Sequence, residues 1–296
     1  MSSKETRTKE AFDRIAKYYT EVRPGLQSEF LKEKFLGLDG AVLDDLISKR
    51  QPVQGSPLDG IFVREAMEFL RVSIFNLLAF KNLMCGNYYS WGKVTLYYSN
   101  FYVVNCMLRL NGFAIVHVKH SKGPAILLER DYPSRAYSIG TFGKGDHAEV
   151  WRRFTETFPG IMSRELYRVD IEDREMWNYD PRYFSQATDR NSLAMAKYFC
   201  DNNFLSENFE NSATSIEDAE RRFDLMSSFG YEEGATGYNI RKAIELIGKV
   251  GKFSQYKKEY VADLASISKG MELFEVKAET RDEVRSWLTQ EIDAMK

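Results

Sequence analysis

Hydrophobic positions recur at helical spacing along most of the chain and change once, near residue 113, to a strand-like period. From Lys9 to Val22, the residues Phe12, Ile15, Ala16, Tyr19 and Val22 share one helical face, and Pro24-Gly25 ends the pattern. Shorter helices are predicted over Ser28–Leu36, with Phe30, Leu31 and Phe35 on one side, and over Ala41–Lys49. The run Arg50–Gly60, RQPVQGSPLDG, holds two prolines and two glycines and reads as a loop. It divides an N-terminal arm, 1–55, from a helical core, 56–266.

Two long helices are predicted next. Phe62–Met84 is apolar nearly all round (Phe69, Leu70, Ile74, Phe75, Leu77, Leu78, Phe80), the pattern of a central buried helix. Tyr88–Leu110 places Trp91, Val94, Tyr98, Phe101 and Leu108 at helical spacing and stops at Asn111-Gly112. Only Cys85-Gly86-Asn87 joins them, and so short a turn makes antiparallel neighbours.

The period then changes. Phe113–Val118, Ala125–Glu129 and Ala136–Phe142 are β-branched or aromatic runs parted by turn residues, which predicts a three-stranded antiparallel insertion near 113–142. A helix restarts at Asp146, read as its N-terminal cap, and runs to Phe158 before Pro159. Further helices are predicted at Asn191–Asn202, Ser215–Ser228, Tyr238–Gly248, Gln255–Ser266 and Arg281–Met295. The last has a capping-box pattern at Thr280 and Glu283 and forms a C-terminal segment, 267–296, expected to pack on the core. Leu166–Ile171 reads as a fourth strand or an extended loop. The expected fold is mainly α, a helical bundle with a small antiparallel β insertion.

Composition narrows the function classes. The 296 residues carry 41 Lys+Arg against 43 Asp+Glu, so the net charge of −2 supplies no global cue for nucleic acid. Aromatic residues make up 14% of the chain, while only 3 His and 3 Cys are present, which leaves little material for metal or histidine chemistry. Cys85, Cys106 and Cys200 are widely spaced and odd in number, so a reducing, cytoplasmic setting is expected. The polar N-terminus has no signal-peptide stretch, and the most apolar run, Val72–Phe80, is too short for a membrane span. A soluble protein without a membrane partner is expected.

The segment Tyr88–Gly112, YYSWGKVTLYYSNFYVVNCMLRLNG, pairs Tyr97-Tyr98 with Phe101, Leu108 and Gly112. It resembles the second core helix of the HEPN superfamily, whose members often carry a YYxxFxxxxxLLxxxG-like run. In many members the next helix opens with a histidine followed by an apolar residue and an aromatic. His147-Ala148-Glu149-Val150-Trp151 has that form. The resemblance covers about 62–158, with the β insertion where most members have a shorter loop. It implies a HEPN-like bundle and a toxin, antiviral-defence or nucleotide-binding context.

Ribonuclease members of that superfamily carry an Arg, then four to six residues, then a His. His117, His120 and His147 are the whole histidine complement, and none has an Arg at that spacing; Arg109 precedes His117 by seven intervening residues. The motif is absent. A rearranged ribonuclease site built from His147, Arg152 and Arg153 is the alternative, with His as acid or base and Arg stabilising phosphate charge. A nucleotide-sensing bundle is the other.

Lys144, Arg152 and Arg153 are the candidate contacts for nucleic acid or another anion. The turn Gly140–Gly145 lacks the order of a P-loop. His117 and His120 sit on opposite faces of a strand and have no companion ligand cluster, and Glu275-Val276-Lys277 lacks the sheet a metal-dependent nuclease needs. No metal site and no cofactor are implied. The preferred reading is a non-catalytic or cryptic HEPN-like protein working through protein contacts, as a homodimer or with a partner in a bacterial defence or toxin-type assembly. RNA remains an alternative partner.

Overall fold

The computed structural model describes residues 3–22, 29–49, 51–85, 88–143, 145–161 and 228–251, with the single positions 262, 286 and 289. In chain order the elements are α1 (Ser3–Val22), α2 (Leu31–Leu36), α3 (Gly40–Lys49), β1 (Val53–Gln54), α4 (Gly55–Cys85) and α5 (Tyr89–Leu110). They continue as β2 (Phe113–Val116), β3 (Ala125–Asp131), β4 (Ala136–Phe142), α6 (Asp146–Thr157) and α7 (Ser228–Gly251). The described residues are mainly helical, with one small antiparallel sheet in the order β1-β4-β3-β2.

Helices α4 and α5 form an antiparallel hairpin. Small residues let their backbones approach: Ser73 Oγ donates to the Ser99 carbonyl at 2.7 Å, and Ser99 Oγ returns a bond to the Ser73 carbonyl at 2.7 Å. Helix α7 packs along α5, where buried Asn239 donates to Asn100 Oδ1 at 2.8 Å. Helix α1 joins the same core through Phe12, Ile15, Tyr18 and Tyr19.

The sheet separates two apolar clusters. Residues alternate across a strand, so a strand covered on both sides is buried at every position. All four residues of β2 are buried: Phe113 and Ile115 face the cluster of α1, α4, α5, α6 and α7, while Ala114 and Val116 face the second cluster, with α2, α3 and the start of α4. Strand β3 repeats the alternation, with Ala125 on the first side and Ile126 and Leu128 on the second.

Several boundaries differ from the sequence pattern, each for a physical reason. Residues 53–54 are a strand rather than loop, because Val53 and Gln54 pair with Tyr137 and Ala136. Helix α4 then starts at Gly55, seven residues before Phe62. Pro57 lies in its first turn, where a missing N–H removes no helical bond. Gly55 permits this junction, since a Cβ there would stand 2.2 Å from the Arg135 carbonyl oxygen. Helix α1 begins at Ser3 rather than Lys9. Its polar first turns are anchored by Thr8, whose Oγ1 accepts the Gly160 N–H at 2.7 Å in the turn after α6.

Asp146 is the first residue of α6, not its cap; Gly145 holds the cap position with φ +83°. Helix α7 runs unbroken from Ser228, rather than starting at Tyr238. The aromatic excess is not all interior: Phe75 and Trp91, both assigned by pattern to buried faces, are 49% and 59% exposed. The predicted features at Leu166–Ile171, Asn191–Asn202, Ser215–Ser228, Gln255–Ser266 and Arg281–Met295 lie outside the described residues, apart from Ser228 and the helical positions Ala262, Ser286 and Thr289.

Candidate functional site

His147, Arg152 and Arg153 all belong to α6, whose apolar stripe Val150, Trp151 and Phe154 docks on the core. That docking turns His147 onto α5. Its ring stacks on Phe101 at 4.2 Å and on Tyr97 at 6.0 Å, and its Nδ1 lies 2.6 Å from the Tyr97 hydroxyl. Tyr97 is itself buried.

The two arginines turn elsewhere. Arg152 bridges Glu149 and Glu156 on the solvent face, with its Nη1 2.6 Å from Glu156 Oε1. Arg153 reaches Glu129 on β3 at 2.8 Å and Glu149 at 3.0 Å, and lies over the Phe113 ring. Glu149 is held below the usual carboxylate range, chiefly by the hydrogen bonds from Arg152 and secondarily by Arg153, against burial that raises it. The cations thus neutralise carboxylates of their own fold. Lys144 lies outside the described residues.

The other two histidines part company. His120 has a buried side chain that closes its own turn: the Lys122 N–H donates to Nδ1 at 3.2 Å, so Nε2 is the nitrogen that donates to the Ala125 carbonyl at 3.0 Å. Asp44, 3.9 Å from Nδ1, therefore faces the ring's acceptor nitrogen and makes no charge-assisted bond there. His117 is exposed and meets Asp146 at 3.3 Å. Among the described residues no cluster of three or more His, Cys, Asp or Glu side chains is placed to hold a metal ion. Cys106 is buried, which pushes its thiol up, away from the reactive thiolate.

Two buried ion pairs escaped the sequence reading, because their members lie far apart in the chain. The first joins α4 to β3. Arg130 Nη2 stands 3.0 Å from Asp59 Oδ1, with both side chains fully enclosed. Tyr137 donates to Asp59 at 2.7 Å and Tyr18 at 3.0 Å, while Tyr19 accepts from Arg130 at 2.7 Å. Tyr18, Tyr19, Tyr132 and Tyr137 ring the guanidinium within 5.7 Å. Burial raises the Asp59 carboxyl, and Arg130 and the two donating tyrosines oppose that rise. Both charged side chains of this cluster are sealed from solvent, and the pair ties β3 to the first turns of α4.

The second pair opens on a cavity. Glu65 on α4 accepts Arg109 Nε at 2.7 Å through Oε2 and the Leu31 N–H at 2.8 Å through Oε1. Arg109 Nη1 donates to the Phe113 carbonyl at 3.0 Å. Together they edge a cavity of about 380 Å³ between the start of α2, the α4–α5 hairpin and β2, with Phe30, Phe69 and Tyr102 among its walls. That volume is in the range of small-molecule sites. A regular Glu-to-Arg signal across the hairpin is invisible in sequence, because 44 residues separate the partners.

Comparison with protein-family models, curated proteins and solved structures finds no match to this chain.

Proposed function

We propose that this chain is a non-catalytic HEPN-like protein that acts through protein contacts, as a homodimer or as a subunit of a bacterial defence or toxin-type assembly. The observation that carries the non-catalytic part is the commitment of the candidate acid–base group. Arg152 and Arg153 are spent on Glu149, Glu156 and Glu129, and His147 stacks on Phe101 with its Nδ1 on a buried tyrosine hydroxyl. A ribonuclease needs a histidine able to move a proton beside a cation free to meet phosphate. Support for a contact role comes from Trp91 and Tyr88, which are 59% and 61% exposed near the tip of the α4–α5 hairpin. Large aromatics of this kind anchor protein interfaces.

The test has two arms. Purified protein incubated with a broad RNA panel in EDTA is expected to leave the RNA intact; cleavage lost on His147→Ala overturns the reading in favour of the rearranged ribonuclease. Light scattering after size exclusion is expected to give a dimer, or a complex with the co-expressed product of a neighbouring gene, that Trp91→Asp dissociates. A monomer that binds no such product defeats the contact role.

A further inference from the structure

The cavity beside Arg109 combines aromatic and aliphatic walls with the charged side chains of Lys32, Glu65, Glu68 and Arg109 and the imidazole of His117. Phe69 and Tyr102 stack on each other at 6.1 Å and present a continuous aromatic wall, while Val72 and Ile115 add aliphatic surface. Both carboxylates at the cavity are already satisfied. Glu65 has one oxygen on Arg109 and the other on the Leu31 N–H, and Glu68 is gripped by Arg71 through Nε at 2.9 Å and Nη2 at 2.6 Å.

The cations are not. Arg109 is only 5% exposed, and its Nε and Nη1 are used, but its Nη2 has no hydrogen-bond partner among the described residues and is not sealed from solvent. Lys32, exposed at the cavity, likewise makes no ion pair with any described residue. A guanidinium held in place by Glu65 and the Phe113 carbonyl, with its Nη2 left open beside aromatic walls, offers a charge-assisted donor to an acceptor in the cavity.

We propose that this cavity binds a small planar aromatic carboxylate, its ring against Phe69 and Tyr102 and its carboxylate on Arg109 Nη2, with Lys32 adding charge at the mouth. Charge balance selects a monoanion. Among the described residues Glu65 offsets Arg109, Arg71 offsets Glu68 and His117 faces Asp146 at 3.3 Å, so Lys32 is the cation at the cavity without a carboxylate partner, and a second negative charge on the ligand would stand beside Glu65 and Glu68. Shape selects a flat ring, since Phe30, Phe69 and Tyr102 supply aromatic walls and Val72, Ile115 and Val116 add apolar lining, with His117 a further polar side chain at the cavity. The proposal is independent of the partner-binding role, which rests on the opposite end of the hairpin.

Calorimetric titration of the full chain with indole-3-acetate, indole-3-acetamide and inorganic phosphate tests it. The carboxylate is expected to bind at one site, with the neutral amide roughly 10- to 100-fold weaker, as loss of a charge-assisted hydrogen bond implies. Val72→Trp, which fills the cavity from a half-buried position, is expected to abolish binding, and exposed Lys32→Glu to weaken it by about tenfold. Circular dichroism of both variants should match the parent. Absence of carboxylate binding, equal binding of the amide, tighter binding of phosphate, or binding that survives Val72→Trp would each overturn the proposal.

Discussion

Arg130 and Asp59 stand 3.0 Å apart with neither side chain exposed, and they tie the sheet to the first turns of the central helix. A buried pair of this kind is not a large net source of stability, because desolvation of two charges opposes their attraction. Its loss on one side is another matter.

Asp59→Ala strands a buried guanidinium, and a loss of about 3–5 kcal/mol is expected. Tyr137→Phe keeps both charges and removes one hydroxyl that donates to Asp59 and accepts from Arg130, so about 1–3 kcal/mol is expected. Urea denaturation of both variants measures the order; Tyr137→Phe costing as much as Asp59→Ala would show that the hydroxyl, not the charge, dominates.

Gly112 follows α5 with φ +84°, and a Cβ there would stand 2.4 Å from the Arg130 Cβ. Gly112→Ala therefore combines an unfavourable backbone with displacement of Arg130. A loss above the ~1 kcal/mol of left-handed strain alone is expected. Calorimetric melting checks it, against Gly140→Ala, whose Cβ meets nothing within 4 Å.

Glu149 titrates below the ordinary carboxylate range when folded. A carboxyl lowered by folding contributes stability that is present above its unfolded value and lost as pH falls through its folded value. Glu149→Gln should thus lower stability near neutral pH and leave little difference in strong acid. The size is about 0.3–0.5 kcal/mol per helical pair, since Arg152 is half exposed and screened. Denaturant midpoints across an acid titration read it, and a deficit that persists unchanged into acid would refute the assignment.

The Tyr97 hydroxyl lies 2.6 Å from His147 Nδ1 and helps to link α5 to α6. Tyr97→Phe keeps the stacked ring and removes that contact, so about 0.5–1.5 kcal/mol of stability is expected to go. The chemical shifts of the His147 ring nitrogens should move in the same variant. If they do not, the hydroxyl is not their partner.

Helix periodicity made the α4–α5 hairpin, the α6 stripe and the three-stranded meander legible, because these depend on neighbours three, four or two residues away. The β1 strand was not legible. Two residues carry no period, and only the pairing partner Tyr137 makes Val53 a strand residue. The start of α4 was hidden for a related reason: Pro57 reads as a breaker until its place in the first turn is known.

The candidate site divides in the same way. The three histidines by themselves exclude the Arg-to-His ribonuclease spacing, since that is a matter of order along the chain. Whether Arg152 and Arg153 were free cations was a matter of what stood across from them, and Glu129 on another element answered for Arg153. Arg109 stood out along the chain only for missing the Arg-to-His spacing to His117, until folding set Glu65 and a cavity beside it. Sequence alone thus determined the helical character, the β insertion and the scarcity of catalytic groups, all local or compositional properties. Tertiary structure decided which charges are spent and which remain open, because a charge's availability depends on partners that only the folded chain brings within bonding distance.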